Sequence, residues 1–219
     1  MFLYLASQSP RRRELLRQIG VVFKPLAVEI DESPLAGENA AAMVSRLAAL
    51  KASTGRQELG RRDYDHHPEP VLGADTAVSI DDKILGKPRD AEHAKAMLKL
   101  LSGRTHQVFS AVSLCGSEKV GDKRPGAPIQ QTVVSKTDVS FRCIGNDELE
   151  RYWRTGEAKG KAGAYAIQGL AAVFVTGIEG SYSGVVGLPL EKLFPLLQAF
   201  GVPYWQSLAT KTDNAFKHE

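Results

Sequence analysis

Three observations predict an α/β domain built on a mixed sheet. An apolar run, Phe2 to Leu5, passes through a short serine-containing loop into an amphipathic helix after Pro10, the strand–loop–helix opening of that fold class. Apolar or alternating segments recur as "VLGADTAVSI", "HQVFSAVSLCG" and "QTVVSKTDVSFRCI", with helical periodicity between them. The 219 residues are 43% hydrophobic, enough for a substantial core, and a net charge of +3 is too small for a nucleic-acid-binding tail.

Phe2 to Leu5 is the first buried strand. In the helix that follows, Ser9 is the N-cap, Pro10 suits the first helical position, Leu15, Leu16 and Ile19 share a face, and Gly20 stops it. A second helix runs roughly from Asn39 to Ser53, with Val44, Leu47, Ala48 and Lys51 on one stripe. From Thr54 to Pro70 the chain is polar and aperiodic, which predicts an exposed loop. "VLGADTAVSI" is a strand that turns at Asp81-Asp82 into "KILGKP", forming a hairpin. Asp90 caps a helix with Ala94, Met97, Leu98 and Leu101 on one face, ended by Gly103.

His106–Gly116 and Gln131–Ile144 then read as antiparallel strands around a loop rich in glycine, proline and charge, Ser117 to Pro128. Asn146 or Asp147 caps a short helix through Leu149, Tyr152 and Trp153. Lys161 to Gly187 is small-residue-rich strand and loop, and Leu188 to Gly201 is a last helix with Pro195 as a kink. Residues 206–219 form a frayed tail. No repeat or low-complexity tract divides the chain, so a single domain over 1–219 with two lobes is expected.

Cys115 and Cys143 lack ligand spacing, which argues against a disulfide framework or a zinc site and for a cytoplasmic location. Phe2 to Ala6 is too short for a signal-peptide core, and no membrane span is expected. His66, His67, His93 and His106 have no metal-ligand spacing and read as surface histidines.

The chemistry begins with an anomaly. Arg11, Arg12 and Arg13 fill the first turn of the first helix, where the dipole is positive and cations cost a few tenths of a kcal/mol each. A phosphate group resolves it: helix N–H groups, the Ser7 and Ser9 hydroxyls and bidentate arginine contacts all favour that anion. Solvent-facing arginines are the plainer reading, and Arg13 suits it best.

Asp75 is the second signal. Alternation places it with Val71, Gly73, Ala77 and Ser79 on one face of its strand, among small neighbours that leave room for a ligand. A mid-strand carboxylate must be ion-paired, hydrogen-bonded or holding a metal. Lys51 interrupts an apolar stripe and Lys87 follows a strand before Pro88. Either alone reads as a surface lysine, but with Arg11 and Arg12 they supply cations for an oligophosphate. Glu32 is either an exposed loop acid or a second carboxylate for a metal or a nucleotide sugar. GxxxxGK[ST], GxGxxG and GxSxG are all absent.

In the order "LASQSPRR", "RLAALKA", "VLGADT", "ILGKPRD", "LSGRTHQV", "KAGAYAIQG" and "GSYSGVVGLPL", the chain resembles the Maf proteins, nucleoside triphosphate pyrophosphatases, over nearly its whole length. The resemblance implies a Maf/inosine-triphosphatase-like fold, an elongated mixed sheet flanked by helices with two lobes around a central cleft. It implies cleavage between the α- and β-phosphates to a monophosphate and pyrophosphate, with magnesium or manganese as cofactor and a homodimeric assembly. Family roles fall on Ser7, Arg11, Arg12, Glu32 and Gln168 for substrate, joined by Thr76 beside Asp75. Asp75 is the essential acid with Lys51 and Lys87, and Asp75 and Glu32 are the metal ligands. Asp75 either binds the metal or deprotonates the attacking water.

The Gln168 amide, in "AIQG", offers the donor and acceptor that read a uracil or thymine edge. It looks like the mark of the branch preferring dTTP and UTP, with modified pyrimidine nucleotides as further house-cleaning substrates. A 7-methyl-GTP pyrophosphatase, or a nucleotide-binding regulator of septum formation without turnover, are the alternatives. A nucleic-acid binder would need a basic surface or stacking aromatics that the sequence lacks. The stretches Thr54–Pro70 and Ser117–Pro128 are longer than the family pattern.

Overall fold

The structure, a computed structural model, describes residues 1–62, 69–120 and 124–206. Its strands are β1 (Leu3–Ala6), β2 (Phe23–Pro25), β3 (Val71–Ile80), β4 (Lys83–Leu85), β5 (Thr105–Val120), β6 (Arg124–Phe141) and β7 (Val175–Glu179). Its helices are α1 (Pro10–Gln18), α2 (Ala40–Arg62), α3 (Ala91–Leu101), α4 (Asn146–Arg154), α5 (Tyr182–Val186) and α6 (Leu190–Ala199). The strands form one mixed sheet in the order β2-β1-β3-β5-β6-β7, with β4 paired to β3 off that path. β1 runs parallel to β2 and β3, and the remaining pairs are antiparallel.

Alternation along the strands sorts their side chains between two faces. Leu72, Ala74, Val78 and Ile80 of β3 and Val108, Val112 and Leu114 of β5 enter the main core with apolar residues of α1, α3, α4 and α6. Their alternates Ala77 and Ala111 pack under Met43, Val44, Leu47 and Ala48 of α2. Asp81 and Asp82 take left-handed conformations, φ 50° and 60°, as the tight β3–β4 hairpin requires.

One irregularity of the sheet positions the site. β1 borders β3 only along Val71–Gly73, and β4 only along Val78–Ile80. Between them, Ala74–Ala77 has no strand partner on that edge among the described residues, while β5 pairs continuously along the other. β3 is buried throughout except at Asp75 and Thr76, the two residues in the middle of the gap.

Several sequence expectations are corrected. The second helix does not end at Ser53 but continues to Arg62, so the first half of the expected Thr54–Pro70 loop is helical. Gly55 and Leu59 extend the buried stripe: a Cβ on Gly55 would come within 2.9 Å of Leu26 and Val71, and Leu59 packs with Ala6, Leu26 and Val71. Polar residues on the outer face conceal that period. Residues 63–68, with His66 and His67, lie outside the described residues.

The Ser117–Pro128 stretch is largely strand, because β5 and β6 remain paired as far as Val120↔Arg124, well past the last β3 contact at Cys115. A two-stranded ribbon is held by main-chain bonds and needs no apolar alternation. Residues 121–123 lie outside the described residues, as does the 206–219 tail beyond Gln206. Gly145, not Asn146 or Asp147, precedes the first turn of α4, and its N–H donates to Glu148 Oε2 at 3.0 Å. β2 and α5, each under two turns of periodic sequence, carried no sequence signal.

His106 is not a surface residue. It is fully buried between Phe141 and Tyr165, with Nε2 bonded to the Tyr165 hydroxyl at 2.9 Å. Burial lowers its pKa to about 4. Below pH 6.5 the unfolded chain therefore binds a proton that the folded chain does not. Stability linked to His106 is full above pH 6.5 and falls as pH drops toward about 4, by up to about 1.4 kcal/mol per pH unit. Urea unfolding between pH 7 and 5, where few carboxylates titrate, is expected to show this slope in the wild type and not in His106→Gln.

Candidate active site

Ser9 and Pro10 start α1 as the sequence predicts, but Ser9 makes no side-chain capping bond. Arg12 turns inward. Its Nε donates to the Gly187 carbonyl at 2.8 Å, Nη1 to Ser7 Oγ at 3.0 Å and Nη2 to Thr76 Oγ1 at 3.3 Å. Thr76 is held in turn by Ser110 Oγ at 2.7 Å. Gly187 ends α5 at φ 130°, a conformation that side chains rarely adopt, and this aims its carbonyl at the guanidinium. Burial lowers the Arg12 pKa, and Arg11 adds to that, against the opposing charges of Asp75 and Glu32.

The other side of the site comes from α2 lying directly on β3. A Cβ on Gly73 would stand 2.2 Å from the Ala48 carbonyl and 2.6 Å from the Ala52 nitrogen, so only glycine permits this approach. One turn further, Lys51 reaches across to Asp75. Its Nζ donates to Asp75 Oδ1 at 2.7 Å and meets Glu32 Oε1 at 2.5 Å. Lys51 and Asp75 side chains are 10% and 13% exposed while Glu32 is 49% exposed, so the ammonium joins an inner carboxylate to an outer one. Burial would raise the Glu32 pKa, but the hydrogen bond from Lys51 and the charges of Lys51, Lys87 and Arg12 outweigh it, and the net shift is downward.

Gly73→Ala is expected to lower stability by about 3 kcal/mol through overpacking against backbone, seen as a Tm drop of roughly 6–12 °C in a thermal melt. An unchanged Tm would show that α2 can lift off β3 freely.

These groups surround one cleft of about 720 Å³ at the unpaired edge of β3. Ser7, Arg11, Arg12, Glu32, Lys51, Asp75, Thr76 and Lys87 all line it, so the structure gathers eight of the residues singled out from sequence. Gln168 is exposed and is not among the lining residues, although its neighbour Ile167 is. Arg13 is not among the lining residues, but it is half-buried rather than solvent-facing, and its Nε is buried without a hydrogen-bond partner among the described residues.

Two residues escaped the sequence reading. Lys161 also lines the cleft; it opens the quoted string "KAGAYAIQG", which was its only signal. Glu157 accepts from Tyr152 Oη at 2.8 Å, Leu170 N at 2.8 Å and Ala171 N at 3.0 Å, clamping the segment after Gln168. Its partners are mostly main chain, which leaves no side-chain pattern to find.

A divalent ion suits the donors present. Glu32 and Asp75 converge on a single ammonium, and Asp75 Oδ2 and Glu32 Oε2 take no hydrogen bond from described residues. Two carboxylates with no nitrogen or sulfur ligand are hard oxygen donors of the kind magnesium uses together with substrate phosphates. No cluster of three or more His, Cys, Asp or Glu forms a complete protein cage among the described residues. No helix among them is long and apolar enough to cross a membrane.

The family model described as Maf-like protein matches residues 2–200. A dTTP/UTP pyrophosphatase of Saccharophagus degradans is 50% identical over 94% of this chain and 92% of its own length. Another of Alcanivorax borkumensis is 48% identical over 94% and 99%. A third, of Aromatoleum aromaticum, is 46% identical over 92% and 96%.

Proposed function

The chain belongs to the Maf-like protein family, and from that premise we propose that it hydrolyses dTTP and UTP to the nucleoside monophosphate and pyrophosphate, as the names of its relatives suggest. The observation that carries the reading is the gap in the sheet, where Asp75 and Thr76 stand within one cleft beside Arg11, Arg12, Lys51 and Lys87. A triphosphate brings negative charge, and the cleft supplies cations on rigid elements around a single carboxylate pair.

Arg11, Arg12 and Lys87 hold the phosphates and stabilise charge growing on the phosphoryl oxygens. Lys51 fixes Asp75 through Oδ1, leaving Oδ2 either to take the proton of the attacking water or, with Glu32, to hold the metal. Magnesium or manganese would be held by Asp75 and Glu32, and when bound supplies Lewis-acid polarisation of the α-phosphoryl group. Thr76, tied to both Arg12 and Ser110, sets the guanidinium plane. Gln168 reads the pyrimidine edge from the rim, beside the cleft-lining Ile167. Modified pyrimidine nucleotides are further substrates in this house-cleaning reading, and the protein works as a cytoplasmic homodimer.

The test is incubation with dTTP, UTP, CTP, GTP, ATP and 7-methyl-GTP, each with magnesium or manganese, followed by ion-exchange separation of products. Monophosphate and pyrophosphate from dTTP and UTP are expected. Preference for 7-methyl-GTP would overturn the pyrimidine assignment, and turnover of no nucleotide would overturn the enzyme reading.

A further inference from the structure

Among the described residues Lys161 forms no ion pair. It lines the cleft and is partly buried, yet among those residues its Nζ hydrogen-bonds only the Lys159 carbonyl, at 3.3 Å. Arg11, in the same cleft, makes no hydrogen bond or ion pair with any described residue. Glu14 acts on Arg11 alone, and Glu157, the acid acting on both, is spent on the Leu170 and Ala171 N–H groups and the Tyr152 hydroxyl. Burial lowers the Lys161 pKa and Arg11 lowers it further, with Glu157 opposing. Two unpaired cations beside one another cost stability unless an anion arrives between them.

The backbone holds Lys161 there deliberately. The turn that follows it bonds Gly163 N to the Gly86 carbonyl at 3.0 Å, next to Lys87. A Cβ on Gly163 would approach the Val78 side chain to 3.0 Å. Gly163 and Ala164 are both left-handed, φ 65° and 62°, and Ala164 pays for that conformation in strain. So the segment is pinned to the β4 side of the sheet gap.

The charged groups have an order. Arg12 is tied to Thr76, the neighbour of Asp75 on β3, whereas Lys161 lines the cleft beside the turn anchored by Gly163 N to the Gly86 carbonyl, within electrostatic reach of Arg11. Asp75 and Arg12 therefore stand at one end of the row of charges, and Arg11 with Lys161 at the other. In an in-line displacement the leaving group departs opposite the attacking water. With the water at Asp75, the far end of the row is where pyrophosphate charge develops.

We infer that Lys161, acting with Arg11, binds the two terminal phosphates of the substrate and the pyrophosphate that leaves. The inference rests on the pyrophosphatase reading above, and it adds a substrate-binding residue that the sequence reading did not single out.

The test compares wild type, Lys161→Met and Lys161→Arg by KM for UTP, inhibition by inorganic pyrophosphate, and Tm. In Lys161→Met, KM and the pyrophosphate inhibition constant are each expected to rise about 10- to 100-fold, the range for loss of a charge-assisted hydrogen bond. Tm should hold or increase, because a like-charge contact is removed. Lys161→Arg should recover most of both constants. Unchanged KM and pyrophosphate inhibition overturn the inference, as does a fall in Tm with pyrophosphate inhibition intact, which marks a structural lysine. If the wild type hydrolyses no nucleotide, the pyrophosphatase reading fails on its own. Calorimetric titration of wild type and Lys161→Met with pyrophosphate then still decides the binding site, equal affinities overturning it.

Discussion

Asp75→Asn is expected to lower kcat/KM for UTP by about 10³-fold while leaving Tm within a few degrees of the wild type. The amide has the shape of the carboxylate, so its oxygen can keep the bond that Lys51 Nζ now makes to Oδ1 at 2.7 Å. What the variant places at Oδ2 is an NH₂ group, which donates and cannot accept a proton from water. Packing under α2 is unaffected, because the two side chains have the same volume and Asp75 belongs to none of the apolar clusters. Product formation by ion exchange, with nucleotide affinity by calorimetry, separates the two effects. Turnover above a tenth of wild type would remove Asp75 from the chemistry, and lost nucleotide affinity would make it a binding group.

Arg12→Lys is the second large effect, and it should strike stability and activity together. The guanidinium satisfies three acceptors on three elements: Gly187 O at the end of α5, Ser7 Oγ after β1 and Thr76 Oγ1 on β3. An ammonium on a straight stem is a point charge and cannot reproduce that planar fork. At least one buried acceptor is left unmet, at about 1–3 kcal/mol. Tm should fall by roughly 2–12 °C and kcat/KM by about 10²-fold. Arg11→Lys is the control: no hydrogen bond ties Arg11 to described residues, so its Tm should not move. Equal Tm losses in the two variants would show that the arginines share one role and that Arg12 is not the keystone described above.

Both predictions explain the cation-rich start of α1. The helix dipole disfavours Arg12 where it stands, yet a carbonyl, two hydroxyls and the nearby carboxylates Asp75 and Glu32 compensate it before any ligand arrives. Arg11 and Lys161 are not so compensated, and they are where an incoming oligophosphate gains most.

The sequence by itself determined the fold class and most of the site. Periods of two and of three to four residues are local properties, so β3, β5, α1 and α3 could be read directly, as could the anomaly of a carboxylate in the middle of "VLGADTAVSI". Lys51 was legible as a polar break in an apolar stripe, although its partner was not. Only the tertiary structure decided that β1 and β4 stop short of one another along β3, because strand register is set between segments distant in the chain. It alone continued α2 to Arg62 under a polar outer face, buried His106 in an aromatic cluster, drew Lys161 into the cleft and left Gln168 outside the lining. Each of these depends on how closely two elements approach, and that distance follows from packing, here from Gly73 beneath Ala48 and Ala52, rather than from the composition of either element.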